Sequence, residues 1–382
     1  MSGLERRSAD ASEPPTDSAD PVEAARQLVL GWGLLAPRTG SVVLDEQQTE
    51  AVLGWALRER IDGVLWTVVA DGRLETTAEG AERVRDAHTT AQHLTLGCEA
   101  VAAEVAAILS NCGIQAWLLK GLAAGHLDYP HPELRSAVDA DILVARADLV
   151  RATNALVGEG FTRAEPGLAT WWEARFARAV VLRSRDGVEV DLHAALAAGY
   201  FGTKLDHGRL LALGGDPIDL GGVATQGLAG PARLLSSAYA AVLSRGTRAR
   251  LHRDLLQQLL VTGCDWEEAA RLAAAGDGEP VLALALTQAA GAVGYHGPHA
   301  ALAWARTVVP SPRAERALQL ASAGVESGWP ADARSALLAL RPADKARFLT
   351  GAAFPPAAHR RTRGRSVRQQ LGRGLGWLRR PP

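Results

Sequence analysis

The sequence predicts an α+β fold, mixed α/β in its order of elements: a small mixed sheet flanked by helical regions on both sides. Three observations predict it. Asp139–Val144 mostly alternates polar and apolar residues, Leu143 excepted, and residues 188–193 (Val-Glu-Val-Asp-Leu-His) alternate as well, as half-buried strands do. Asp186-Gly187 before the second stretch is a hairpin turn signal, which makes 176–184 its partner strand. Outside about 113–227, apolar residues recur mainly at helical spacing.

In chain order, 1–20 is rich in Ser, Asp, Pro and Glu and reads as a disordered N-terminus. Residues 21–112 read as a helical N-terminal region, with helices over 22–35 and 45–60 and a long Ala-rich segment over 78–111. Between them, 65–75 with Asp71-Gly72 at its centre reads as a short hairpin. Helix, hairpin, helix admits a winged helix; the plainer alternative is a helical layer packed beside the sheet. The core spans 113–227: a buried strand at 114–119, a helix opening at Gly121, a stop at Tyr129-Pro130-His131-Pro132, the Asp139 strand, a helix over 147–157, the hairpin, and one edge strand at 218–225. A helical C-terminal domain follows over 228–355, with helices at 234–243, 250–262, 266–275, 281–292 and 300–308. An Arg-rich tail covers 356–382.

With 382 residues, 47% of them hydrophobic, the chain can bury a substantial core. Net charge is −1, and the eight arginines from His359 onward, removed, leave the rest at −9. That balance argues against a broad nucleic-acid surface. The tail is the exception: it suits an acidic partner, RNA or an anionic membrane, or is a solubilising end. Three scattered cysteines exclude a Cys-x-x-Cys zinc site and suit a reducing cytoplasm. No run of about eighteen uncharged apolar residues predicts a transmembrane segment.

Side chains two apart on a strand share a face. Asp139 and Asp141 therefore point one way, and Ala140, Ile142 and Val144 point towards a core. Glu189, Asp191 and His193 likewise share a face. If the two strands are neighbours, Asp139, Asp141 and Asp191 converge into an oxygen-rich cage suited to Mg²⁺.

At this point the sequence resembles the uncharacterised nucleotidyltransferase group within the DNA polymerase β-like superfamily. The resemblance rests on Leu119-Lys120-Gly121, Arg135, Asp139-Ala140-Asp141-Ile142-Leu143-Val144 and Val190-Asp191-Leu192-His193, with a weaker match over 234–266; it covers 113–276. One departure is visible. The superfamily's usual Gly-Ser or Gly-Gly pair stands here as Lys120-Gly121, further from Asp139 than usual. The resemblance implies transfer of a nucleoside monophosphate from a triphosphate to a hydroxyl on a small molecule, peptide, protein or RNA end. It implies two Mg²⁺ ions: Asp139 and Asp141 on both, and Asp191 on the acceptor side, helping to deprotonate the hydroxyl.

Further roles follow from that reading, each with a plain alternative. Gly121, at a strand end entering a helix, lets the backbone approach a phosphate, and Lys120 neutralises it; otherwise the pair is a turn Gly and a snorkelling Lys. Arg135 clamps phosphate oxygens or forms a structural ion pair. His193 touches acceptor or base, or is structural. Arg245, Arg248, Arg250 and Arg253 enter a helix of the region that contacts the triphosphate in related enzymes, with Arg253 and Asp254 matching the family pattern best; otherwise they are a solvated helix face. Trp171-Trp172 either stack on a base or are core. His126 and His131 read as loop histidines. Two other readings stay open: an inactive nucleotide-sensing or partner-binding module on the same fold, and a nucleic-acid-binding regulator.

Overall fold

The computed structural model describes residues 20–36, 40–243, 248–322 and 328–362. The expectations for residues 1–19, for Arg245 and for the Arg-rich tail beyond 362 lie outside them.

The N-terminal part holds α1 (Pro21–Gly31), β1 (Val42–Val43), α2 (Glu46–Glu59), α3 (Asp62–Ala70), β2 (Leu74–Glu75) and α4 (Ala78–Asn111). A capping box starts α2: the Gln48 N–H donates to Asp45 Oδ1, and the Asp45 N–H to Gln48 Oε1. Such a cap contributes about 1 kcal/mol. The hairpin expected at 65–75 is absent. Val64, Leu65 and Val68 are all but fully buried, as i, i+1, i+4 on a helix face, and Gly72 (φ 68°) follows the end of α3. Leu74–Glu75 then pairs in parallel with Val42–Val43. The winged-helix expectation falls with the hairpin. α4 is one unbroken helix of 34 residues, about 50 Å at 1.5 Å per residue. Among the described residues it is the one helix long and apolar enough, by length and composition, to cross a membrane. Here it packs against α2, α3 and one face of the main sheet.

The core contains β3 (Ala116–Leu118), α5 (Lys120–Asp128), β4 (Asp139–Val144), α6 (Leu149–Gly158), β5 (Thr162–Arg163), α7 (Thr170–Phe176), β6 (Ala179–Arg183), β7 (Glu189–His193), α8 (Gly199–Lys204), α9 (His207–Leu211), β8 (Gly215–Leu220) and β9 (Val223–Leu228). The sheet has seven strands in the order β5-β6-β7-β4-β3-β9-β8. The edge strand expected at 218–225 is two strands turning at Gly221-Gly222. β4 and β7 are parallel neighbours, with Asp141 opposite Asp191 and Asp139 opposite Glu189. Ala140, Ile142, Val144, Val190 and Leu192 are buried in one apolar cluster with residues of α4 and α6. On the other face Trp117, Leu119 and Leu143 join a second cluster that runs through the N- and C-terminal helices. The acids share this second face, at the margin of that cluster.

The C-terminal part holds α10 (Gly230–Leu243), α11 (Ala249–Leu256), a π-helical turn at Gln257–Val261, α12 (Trp266–Ala274), α13 (Glu279–Val293), α14 (Ala300–Ala305), α15 (Pro312–Ser322), α16 (Gly328–Ala339), α17 (Pro342–Ala353) and α18 (Ala357–Thr362). The helix expected over 250–262 widens into the π-turn where Gln257 and Gln258 turn to bond Asp128. Trp172 settles as core: it packs against Phe176 and Phe348, and its indole N–H donates to the Phe348 carbonyl. Trp171 remains half exposed.

Candidate active site

The acids are delivered by strand pairing. Asp141 (3% exposed) and Asp191 stand side by side on β4 and β7, and His193 lies one step further along the same face. Donor atoms of Asp141, Asp191 and His193 all lie within 4.8 Å of one another. His193 Nε2–H donates to Asp141 Oδ1 at 2.7 Å and lies 3.8 Å from Asp191 Oδ2. Burial lowers the His193 pKa, and the Lys120 and Arg178 charges act in the same direction, although Asp141 opposes them. Burial alone would raise the Asp141 pKa. The His193 hydrogen bond and the Lys120 charge outweigh it and hold the carboxyl well below its ordinary value. Asp191 Oδ1 is buried with no hydrogen-bond partner among the described residues. A buried carboxylate oxygen without a partner, in a group that holds a second carboxylate, is costly unless a cation shares the site.

Asp139, at the start of β4, stands outside this donor cluster. Its Oδ1 accepts from Arg60 Nη1 at 2.9 Å. Lys120 Nζ donates to Asp141 Oδ1 at 2.5 Å. Each acid of Asp-Ala-Asp thus has its own internal cation. Arg60 was not singled out from the sequence: it lies 79 residues from Asp139, and nothing local marks it.

The segment entering β4 is gripped from the N-terminal helices. Ser136 Oγ–H donates to Asp62 Oδ1, whose other oxygen pairs with His88 Nδ1 at 2.9 Å. The Ala137 N–H donates to Thr95 Oγ1. α3 comes so near that a Cβ on Gly63 would lie 2.2 Å from the Glu133 carbonyl, so only glycine fits there.

Two expected phosphate contacts are instead structural. Arg135 is fully buried: Nε and Nη2 donate to the Asp254 carboxylate at 3.0 and 3.1 Å, and Nη1 donates to the Ser136 carbonyl. It therefore forms an ion pair, with Asp254 of α11 as partner. Arg253 is 1% exposed, with Nη1 donating to the Leu30 carbonyl at 2.6 Å and its guanidinium over the Tyr129 ring. Both point into the junction between helices, where a triphosphate cannot reach. Arg250 is different. Burial and the nearby charges of Arg135, Arg60 and Arg248 push its pKa down to about 10, and its side chain lies against Glu59 and the Arg58 carbonyl. His126 sits on α5 rather than in a loop, paired with Glu99.

The segment after His193 carries a pH-dependent contact. His207 Nδ1–H donates to the Leu205 carbonyl, and Nε2 accepts the Leu196 N–H, so only the neutral ring fits. Burial, aided by Arg146, pushes its pKa down to about 4. Between about pH 6.5 and 4 the unfolded chain binds the proton and the folded one does not. This contribution, about 3 kcal/mol, is therefore fully present above about 6.5 and lost as pH falls towards 4. Urea unfolding at pH 7 and 4.5 should show a smaller drop for His207→Gln than for wild type.

Fold and site together define an α+β protein whose sheet gathers acids from two adjacent strands, with Asp139 and Asp141 paired to cations that reach them from outside the sheet, Arg60 and Lys120. The chain belongs to the family of uncharacterised nucleotidyltransferases, whose model matches residues 45–291. The match reaches further towards the N-terminus than the motifs do and takes in Arg60, Asp62 and His88. A crystal structure of an antigenic nucleotidyltransferase-like protein from Paracoccidioides brasiliensis aligns over 52% of this chain and 92% of its own, at 14% identity and a TM-score of 0.32. No curated protein matches the chain.

Proposed function

We propose that this protein is a Mg²⁺-dependent nucleotidyltransferase of the cytoplasm, moving a nucleoside monophosphate from a triphosphate to a hydroxyl acceptor. The observation that carries the reading is the gathering of Asp141, Asp191 and His193, with Asp191 Oδ1 buried and unpartnered. The donor set fits a hard divalent cation: two carboxylates with a third, Asp139, two residues away on the same strand face. Asp139, Asp141 and Asp191 would hold the ions, two being the expected number, with His193 at hand. When bound, Mg²⁺ lowers the pKa of the acceptor hydroxyl and balances charge on the leaving pyrophosphate.

The chain's own residues do the rest. Asp191, at the acceptor side, takes the hydroxyl proton. Gly121, in the first turn of α5, offers its backbone to a phosphate, and the free N–H groups there favour an anion. Lys120 and Arg60 supply positive charge at the acids. His193 stays neutral and holds Asp141 in place.

The test supplies labelled ATP, GTP, CTP and UTP with Mg²⁺ and candidate acceptors: small molecules, peptides, proteins and RNA ends. Wild type should transfer label and Asp139→Ala/Asp141→Ala should not; equal transfer by both would sink the reading. One observation favours an inactive nucleotide-sensing module instead: both acids of Asp-Ala-Asp are already paired with internal cations. Calorimetry showing Mg²⁺-dependent triphosphate binding, with no turnover on any acceptor, would favour that second reading.

A further inference from the structure

Three non-glycine residues among those described hold positive φ: Arg60 (56°), Lys120 (51°) and Asp277 (60°). For such residues the left-handed region is unfavourable, and such strain gathers at functional sites. Two of the three are the residues whose cations pair with Asp139 and Asp141. Both stand at helix ends, Arg60 closing α2 and Lys120 opening α5 one intervening residue after strand β3. The left-handed turn lets Lys120 begin α5 while its side chain reaches back to β4. Its ammonium then lies on Asp141 Oδ1, on a carboxylate of the candidate ion site, and the lysine side chain is about one-third exposed.

We propose that Lys120 is a built-in counter-cation which competes with the divalent ion for Asp141 and is drawn off to the triphosphate when nucleotide arrives. This inference rests on the nucleotidyltransferase reading. Without metal, an ammonium on Asp141 offsets its repulsion with Asp191, and a guanidinium pairs with Asp139 beside them. A bare ion must displace Lys120 and leave the ammonium without a partner. A metal–nucleotide complex supplies phosphate oxygens for the displaced ammonium, so ion and nucleotide bind with positive coupling. The departure from the superfamily's Gly-Ser or Gly-Gly pair thereby gains a function: the lysine makes metal binding conditional on substrate.

The experiment titrates Mn²⁺ into the full chain and follows the free-ion signal by electron paramagnetic resonance. It is run with and without a triphosphate carrying a methylene bridge between the α and β phosphorus atoms. Without nucleotide, Lys120→Met should bind Mn²⁺ about tenfold more tightly than wild type or better, because a unit charge beside the site is gone. With nucleotide, wild type should tighten markedly and the variant should gain much less. Wild-type Mn²⁺ affinity in Lys120→Met without nucleotide overturns the inference. Should Lys120→Met fail to fold, Lys120→Gly removes both the charge and the left-handed strain and is read the same way. Asp141→Asn separates the two levels. If it binds Mn²⁺ as wild type does, the metal reading fails and takes the inference with it. If it binds weakly while Lys120→Met matches wild type, only the role of Lys120 fails.

Discussion

Cutting Asp254 back to alanine is expected to lower the free energy of unfolding by about 3–5 kcal/mol, the range seen when one member of a buried ion pair is removed. Asp254 receives two nitrogens of Arg135 and the Tyr129 hydroxyl, and both side chains of the ion pair are nearly inaccessible. Its loss strands a guanidinium that holds both the Ser136 carbonyl and, at 3.4 Å, the Arg60 carbonyl. The damage should therefore spread to the loop entering β4 and to the Arg60 turn. Denaturant unfolding measures the effect. The paired replacement Arg135→Met/Asp254→Leu should recover most of the loss, since it leaves no charge uncompensated. A drop below about 1 kcal/mol for Asp254→Ala would mean that water reaches Arg135 and that the junction is looser than its packing implies.

Asp191→Asn is expected to cut nucleotidyl transfer by about a thousandfold or more while leaving thermal stability unchanged or raised. On the proposed reaction, the rate loss follows from removing both an ion ligand and the group that would accept the acceptor's proton. The stability gain follows from the folded state. Asp191 Oδ1 is buried without a hydrogen-bond partner among the described residues, and Lys120 pairs with Asp141 rather than with it, so removing its charge costs the fold little. Kinetics with the acceptor that proves active, together with a melting curve, check both halves. Loss of activity together with a large fall in melting temperature would recast Asp191 as a structural residue. Opposite signs for activity and stability are the signature of a functional acid.

Much of the core was legible because strand alternation is a local signal. Asp139 and Asp141 on one face, Ala140, Ile142 and Val144 in the core, and the hairpin turning at Asp186-Gly187 all follow from a period of two. The adjacency of the strands came from motif order rather than periodicity. Helix α3 was misread because its apolar run is short and continuous, and Asp71-Gly72 ends a helix as readily as it turns a hairpin. Arg135 and Arg253 were legible as cations near the right motifs, but partner choice is not a local property. A guanidinium pairs with whichever carboxylate or carbonyl the fold brings within about 3 Å. For Arg135 that was Asp254, 119 residues away.

By itself the sequence determined the family and the strands at 139–144 and 189–193 with their inward and outward faces. Tertiary structure alone decided which cation meets which anion: Lys120 on Asp141, Arg60 on Asp139, and Asp254 on Arg135 in place of a phosphate. The reason is range. Backbone periodicity is set by neighbours a few residues apart, whereas charges pair according to how sheet and helices pack, across gaps of 21 to 119 residues.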